Sequence, residues 1–198
     1  MNKAIKTTAV TLLIISILLT FAACGTKEEP TEPITTKTNT TTEEKTTEEQ
    51  TTEGAKIMTV TCKSTTSEGK LLTKCAATYA NGQNLVPEIT WDEVPNARAY
   101  AVYMLDESAN NWLHMMAVTT NTTIKEGEAI QGQYIGPYPP SGNHSYVIYV
   151  LALETAPVSL PGNFNSTNPG IATLSQSLGT ILAQASTTVT YANGDNNV

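Results

Sequence analysis

The stretch Gly136-Pro137-Tyr138-Pro139-Pro140-Ser141-Gly142-Asn143-His144-Ser145 runs directly into Tyr146-Val147-Ile148-Tyr149-Val150-Leu151-Ala152-Leu153. Its first half has the composition of a loop, because glycine and proline interrupt regular structure. Its second half is apolar and rich in β-branched and aromatic side chains, which favours a strand. Since both faces of that strand are apolar, we predict that it lies inside a sheet covered on both sides.

Other stretches of the same composition flank this one and are separated by turn residues such as Asn81-Gly82. The predicted strands are residues 57–62, 88–91, 99–105, 112–119, 145–153 and 186–192. One segment has helical spacing, because Asn168-Pro169 is a typical helix start and apolar residues from Ile171 to Leu182 share one face. Gly179 is expected to divide it into two short pieces. The sequence therefore predicts a mainly β domain with one or two short C-terminal helices.

Residues 1–23 have the pattern of a secretion signal. Lys3 and Lys6 form the positive start, residues 9–23 are mostly apolar, and Phe21-Ala22-Ala23 is a small-residue cleavage site. The apolar stretch is shorter than the roughly 20 residues that a membrane span needs. The segment resembles a bacterial lipoprotein signal, which implies that Cys24 is lipidated and anchors the protein on the extracytoplasmic face of the cell membrane. An ordinary signal peptide is the alternative.

The segment after Cys24 predicts a disordered tether. Residues 25–56 hold 12 Thr, 8 Glu and one large aliphatic residue, Ile34. This composition cannot bury enough apolar surface to offset the entropy of ordering. The chain therefore divides into a signal peptide (1–23), a lipidated cysteine with its tether (24–56), one folded domain (57–192) and a tail (193–198).

The charge of the chain excludes one class of partner. The net charge is −7, with 11 basic and 18 acidic residues. Residues 57–198 contain only one arginine and four lysines. A domain with so few cations has no basic surface for a phosphate backbone, so nucleic acid is not expected as a partner. The membrane contact is expected through the lipid anchor alone.

The domain contains two cysteines, Cys62 and Cys75, on either side of a turn at Glu68-Gly69. An extracytoplasmic compartment permits a disulfide between them, and two free thiols are the alternative. Neither cysteine has a histidine or a second cysteine at a metal-binding spacing, so no metal site is predicted.

The two histidines of the chain, His114 and His144, lie in or beside predicted strands with polar or turn-rich neighbours. Taken singly, each is expected to be a half-buried strand residue with its hydrogen bonds satisfied. Taken together with Asp106, they can form a small polar pocket, because a carboxylate and two imidazoles at strand ends supply matching donors and acceptors. Trp91 and Trp112 are expected to be packing residues.

The segment from Gly136 to Tyr146, Gly-Pro-x-Pro-Pro-x-Gly-x-His-x-Tyr, resembles a motif of the phosphatidylethanolamine-binding protein (PEBP) family, in particular its bacterial Raf-kinase-inhibitor-like branch. Three other pieces occur in the family's order. They are Asn81-Gly82-Gln83-Asn84 with Ile89-Thr90-Trp91 and Val94-Pro95, then Leu105-Asp106 with Trp112-Leu113-His114, then Ile181-Leu182-Ala183-Gln184-Ala185 with Tyr191. The resemblance spans nearly all of 57–192. It implies a large central β-sheet packed against a smaller one.

The resemblance also implies an anion pocket. The residues that would line or shape it are Asp106, His114, Gly136, Pro139, Pro140, His144 and Tyr146. The imidazoles and the phenol would donate hydrogen bonds to a phosphate-like group, and the carboxylate would orient one ring. No cofactor is implied.

Two residues depart from the family pattern on the loop after Asp106. Ser108 replaces an aspartate, and Asn110 replaces a proline. We expect the rim of the pocket to be less constrained there and to have a different charge.

These observations lead to two functional hypotheses. The first is a surface-anchored, non-catalytic binding protein for a small anion such as phosphate or a phosphorylated head group. The alternative is a protein-interaction or inhibitor module, with a protease-type or kinase-type partner and a degenerate pocket. Catalysis is not expected, because no serine lies in a Gly-x-Ser-x-Gly elbow and no serine, histidine and aspartate occur in a supporting context.

Overall fold

The computed structural model describes residues 57–198. The predicted signal peptide, the lipidated Cys24 and the tether lie outside the described residues. Among residues 57–198, no helix is both long enough and apolar enough to span a membrane.

The described chain forms two antiparallel sheets. In chain order the strands are β1 (Val60–Cys62), β2 (Ile89–Trp91), β3 (Ala99–Asp106), β4 (Trp112–Thr119), β5 (Thr123–Ile124), β6 (Gly132–Tyr134), β7 (Asn143–Leu153) and β8 (Ile181–Ala192). The small sheet has the order β1-β2-β5, and the large sheet has the order β6-β4-β3-β7-β8. The mainly β fold predicted from the sequence, with a large sheet and a smaller one, is confirmed.

Strand β7 is an interior strand that is buried on both faces, as its sequence predicts. It pairs with β3 on one side and with β8 on the other. Tyr146, Ile148 and Val150 pack into the core that includes residues of the small sheet. Leu151 and Leu153 pack into a second core on the opposite face. The alternation of side chains along the strand thus supplies both hydrophobic layers.

Only the first half of the predicted helical segment is helical. A single α-helix, α1 (Ile171–Leu174), continues into a 3-10 turn that ends at Ser177. Gly179 then adopts a positive φ of 76°, which glycine allows at little cost, and β8 begins at Ile181. The prediction was wrong for Ile181 and Leu182, because two adjacent apolar residues fit a helical face as well as a strand.

The structure also corrects the predicted helix start. The residue that precedes α1 is Gly170, which makes no side-chain cap. Asn168 instead accepts a hydrogen bond from the backbone N–H of Asn163 and donates to the carbonyls of Asn163 and Ser166. Its side chain therefore stabilises the loop before the helix.

The predicted disulfide is not formed in the structure. Cys62 and Cys75 are both buried and are both free thiols. Burial raises the pKa of the Cys62 thiol to about 11 and that of Cys75 to about 12. Because the thiolate is the species that reacts to form a disulfide, the two side chains behave here as small core residues.

The C-terminal segment, predicted to be a tail, is bonded to the domain. The backbone N–H of Asn197 donates to Oγ1 of Thr73 at 2.7 Å, and the N–H of Thr73 donates to the carbonyl of Asn197 at 2.9 Å. The side-chain amide of Asn197 donates to the carbonyl of Leu71. These bonds tie Asn197 to the segment that follows β1.

Candidate functional site

A cleft of about 370 Å³ opens at one end of the large sheet. The residues that line it are Tyr79, Asp106, Ala109, Trp112, His114, Ile135, Gly136, Tyr138, Pro139, Pro140, His144 and Asn165. Six of the seven residues predicted to line or shape a pocket are among them. The seventh, Tyr146, is fully buried and does not line the cleft.

Three neighbouring strands place the polar residues of this cleft. Asp106 is the last residue of β3 and is paired with Tyr146 of β7. His144 lies two positions before Tyr146 in β7, so the side chains of both residues are on the same face of the sheet as the side chain of Asp106. His114 comes from β4, which pairs with β3 on the other side. The acid thus stands between the two histidines in the order of the strands.

A β-bulge aims His114 at the cleft. Met104 pairs with Met115 and Leu105 pairs with Leu113, so His114 is the extra residue on β4. Leu113 and Met115 consequently enter opposite cores, although they are two positions apart in one strand. A bulge re-aims side chains in this way and is common beside functional sites. Because of it, both His114 and Trp112 line the cleft.

Asp106 holds His144 in one orientation. The Nδ1–H of His144 donates to Oδ2 of Asp106 at 2.7 Å. The other carboxylate oxygen accepts the backbone N–H of Ser108 at 2.9 Å. Asp106 is only 3% exposed, so both oxygens are used within the protein. This arrangement leaves Nε2 of His144 as the ring nitrogen available to a ligand.

Ile135 holds His114 in a similar way. Nδ1 of His114 donates to the carbonyl of Ile135 at 2.9 Å, and the N–H of Ile135 donates to the carbonyl of His114 at the same distance. The ring is buried, and the resulting desolvation lowers the pKa of His114 below its ordinary value of 6.5, although the bond to Ile135 opposes the shift. Neutral His114 therefore presents Nε2 as an acceptor, and it becomes a donor only when protonated.

The position of Tyr146 corrects the prediction that its phenol donates to a ligand. The residue is fully buried, and its ring makes an edge contact with His114 at 5.2 Å between centroids and a stacked contact with His144 at 6.4 Å. Its hydroxyl has no hydrogen-bond partner of normal geometry. Burial, and next the nearby charge of Asp106, raise the pKa of this phenol. Tyr146 thus supports both imidazoles from behind.

The loop that carries Gly136 is fixed against the segment around Ala76. The N–H of Gly136 donates to Oδ1 of Asn84 at 2.7 Å, and the N–H of Ala77 donates to the carbonyl of Pro137 at 3.2 Å. A Cβ at position 136 would lie 2.3 Å from the carbonyl oxygen of Cys75. Only glycine permits this close approach of two backbone segments, which is a physical reason for the residue.

Aromatic rings frame the mouth of the cleft. Tyr79 and Tyr138 are exposed and make an edge contact at 4.7 Å between centroids. Trp112 donates its Nε1–H to Oδ1 of Asn165 at 3.2 Å. Trp91 is a core residue as predicted, but Trp112 lines the cleft and is not only a packing residue. Its position two residues before His114 was the signal for this role.

Sequence reasoning also missed Tyr79, Ala109, Ile135 and Asn165 as lining residues. Tyr138 lies inside the loop motif, so its place in the site was readable. Tyr79 and Asn165 are far from the motif in sequence, and no local pattern marks them.

The two departures from the family pattern leave the rim well defined, contrary to the expectation. Oγ of Ser108 accepts the backbone N–H of Ser145 at 2.9 Å, which joins the loop after β3 to β7. Asn110 has a φ of 52°, a left-handed conformation that asparagine tolerates and that the ring of proline forbids. Serine and asparagine at these positions therefore suit the loop that this chain forms.

The charges of the cleft are few. None of the lining residues is lysine or arginine, and Asp106 is the one carboxylate among them. Positive charge in the cleft can come from the two imidazoles alone. The side chain of Glu107, next to Asp106 in sequence, instead accepts the hydroxyl of Tyr149 at 2.6 Å.

Comparison with protein-family models identifies the family of this chain. Residues 47–192 match the model described as phosphatidylethanolamine-binding protein. The chain belongs to that family.

Two solved structures of bacterial homologues share the fold. One is a putative PEBP homologue from Chlamydia trachomatis, with 21% identity, a TM-score of 0.53, and coverage of 68% of this chain and 97% of that one. The other is Escherichia coli YbcL, described as a new member of the mammalian PEBP family, with 24% identity, the same TM-score, and coverage of 68% and 98%. A comparison with curated proteins gave no match.

Proposed function

We propose that this chain is a non-catalytic binding protein that holds a small anion, such as phosphate or a phosphorylated head group, between His114 and His144. The observation that supports this proposal best is the shared geometry of the two rings. Each Nδ1 is bonded to an acceptor of the protein, so each Nε2 is left for a ligand in one cleft. An anion is the ligand that two protonated imidazoles would favour.

The affinity of the cleft for an anion should depend on pH. At neutral pH His114 is neutral and its Nε2 accepts rather than donates, so it does not attract an anion. Protonation converts that nitrogen into a charged donor. Anion affinity should therefore increase as the pH falls below the ordinary histidine pKa of 6.5.

The proposal includes anchoring. We propose that Cys24 is lipidated and that residues 25–56 tether the domain to the extracytoplasmic face of the cell membrane. The apolar leader, the cysteine after two alanines and the Thr- and Glu-rich segment support this. Metabolic labelling with a fatty-acid analogue tests it. Label on the wild-type chain that is lost in Cys24→Ser supports the anchor, and equal label on both chains contradicts it.

The absence of catalysis is also a proposal. Within residues 57–198, no hydroxyl is hydrogen-bonded to Nε2 of either histidine, which supports this proposal. The aligned pair of Asp106 and His144 then serves to orient the ring for binding.

Isothermal titration calorimetry tests the binding function. Inorganic phosphate and phosphoethanolamine would be titrated into the wild-type chain and into His144→Gln from about pH 5.5 to about pH 8. Gln133→Ala, an exposed residue of β6 outside the cleft, is the matched control. We expect binding that strengthens at low pH, is lost in His144→Gln and is unchanged in Gln133→Ala. No binding of either compound at any pH would refute the proposal.

The second candidate function is a protein-interaction or inhibitor module. The exposed pair Tyr79 and Tyr138 favours it, because exposed aromatic side chains at a rim are typical of interaction surfaces. A pull-down with a protein partner would distinguish the two. If His114→Ala and His144→Ala leave capture unchanged while Tyr138→Ala reduces it, the rim and not the cleft is the binding surface.

A further inference from the structure

We propose that β8 pairs with the β8 strand of a second copy of this chain, which joins two large sheets into one. Strand β8 is an edge strand of the large sheet. Strand β8 is 12 residues long and pairs with β7 on one side. At the other edge of the same sheet, β6 has only three residues.

The direction of the backbone groups along β8 follows from the bonds of Thr190. The N–H of Thr190 donates to the carbonyl of Gly69, and its carbonyl accepts the N–H of Leu71. The backbone groups of Thr190 therefore point away from β7. Because successive residues of a strand alternate in this direction, the N–H and C=O groups of Gln184, Ser186 and Thr188 also point away from β7.

These outward groups form an open edge. The segment 69–71 covers only the end of β8 at Thr190, and the described residues supply no backbone partner for Gln184, Ser186 and Thr188. The side chains of the same three residues are exposed. A row of unpaired backbone donors and acceptors is a template for an additional strand.

Charge favours a second copy as the occupant. Residues 181–192 contain none of the 29 charged residues of the chain, and they contain no proline. Proteins commonly protect an edge with lysine or proline, and neither protects this one. The chain has a net charge of −7, so two copies carry like charge, and β8 contributes none of that charge to a contact between them.

Symmetry favours the same occupant. Two antiparallel strands related by a twofold axis use one set of residues on both sides, and such isologous contacts are the commonest in homodimers. With the axis near Ser186, Gln184 of one copy lies opposite Thr188 of the other. These side chains are small or neutral, so they can stand opposite one another without repulsion. The contact is narrow, and we expect a weak dimer with a dissociation constant of about 10 μM to about 1 mM.

Substitutions at Ser186 separate the free edge from the fold itself. Ser186→Pro removes an N–H that points away from β7, so it blocks the edge while leaving the β7 ladder intact. Ser186→Ala keeps that N–H and is the matched control. Ser186→Lys is a second variant that opposes like charges across the axis. Circular dichroism would confirm that each variant is folded, and Ser186→Lys carries the test if the proline variant is not.

The experiment is sedimentation velocity of the full chain over a range of concentrations, so that any association through the N-terminal segment is common to all variants. We expect reversible dimers for the wild type, a dissociation constant within about twofold for Ser186→Ala, and at least a tenfold weakening for Ser186→Pro and Ser186→Lys. A wild type that stays monomeric, because another segment or partner covers the edge, would overturn the proposal. Equal dimerisation of all variants, or open-ended assembly, would also overturn it.

Discussion

Oδ2 of Asp106 accepts a hydrogen bond from Nδ1 of His144 at 2.7 Å, although the two residues lie 38 positions apart in the chain. Antiparallel pairing of β3 with β7 brings them together, because Asp106 is paired with Tyr146. The carboxylate is almost fully buried and also accepts the N–H of Ser108. Asp106 thus orients the ring of His144 and also stabilises the first turn of the loop that follows β3.

Substitution of Asp106 should weaken both the fold and the cleft. In Asp106→Asn, the charged acceptor of the His144 and Ser108 N–H groups is lost, and we expect the free energy of unfolding to fall by about 1–3 kcal/mol. Urea denaturation measures this. The exposed acid Glu68 is the control, and Glu68→Gln should change stability by less than about 0.5 kcal/mol. Equal effects of the two substitutions would contradict the role given to Asp106.

Gly136 should not tolerate even alanine. A Cβ there would lie 2.3 to 2.5 Å from backbone atoms of Cys75, Ala76 and Ala77, which cannot move as a side chain can. We expect Gly136→Ala to destabilise the chain by about 3 kcal/mol or more, measured by thermal or urea unfolding. Gly69→Asn is the control, since Gly69 has a positive φ but no atom within 4 Å of its would-be Cβ. If both variants are equally stable, the loop at Gly136 does not pack closely against the backbone of Cys75 and Ala77.

The loop after β3 should reject the proline that the family pattern has at position 110. Asn110 has a φ of 52°, whereas the proline ring fixes φ near −65°. Asn110→Pro should therefore cost about 3 kcal/mol or more, and Asn110→Gly should change stability by no more than a few tenths of a kcal/mol. Differential scanning calorimetry of the three proteins compares them. A proline variant as stable as the wild type would show that the loop has another conformation.

Protonation of His114 should oppose folding. Burial lowers the pKa of His114 below 6.5, so in the window below that value the unfolded chain binds more protons than the folded one. The free energy of unfolding must then decrease as the pH falls through this window. Stability measured between about pH 5.5 and about pH 7.5 should show this slope, and His114→Gln should reduce it. An unchanged slope in His114→Gln would mean that other groups cause it.

Composition and alternation predicted most of the fold, because the strands of the large sheet are long and strongly patterned. The interior position of β7 followed from its two apolar faces. The start of β8 did not, since Ile181 and Leu182 fit a helical face, and only the conformation of Gly179 in the folded chain separates the helix from the strand.

The polar centre of the site was predictable and its details were not. The family motif named Asp106, His114 and His144, and the structure brings them to one cleft. The sequence does not indicate the β-bulge at His114, because alternation along a regular strand would place Leu113 and Met115 on the same face. The burial of Tyr146 and the bond from His114 to Ile135 depend on three-dimensional packing that local sequence does not encode.

The most direct test of the central claim is the ¹⁵N NMR spectrum of the two histidine rings during a titration with phosphate. The chain has only His114 and His144, so the two variants His114→Gln and His144→Gln assign every ring signal. At a pH below 6.5, phosphate should shift the Nε2 signals of both rings in a saturable way and by more than the Nδ1 signals, while chloride at equal ionic strength should not. Ring signals that respond no more to phosphate than to chloride would contradict the account.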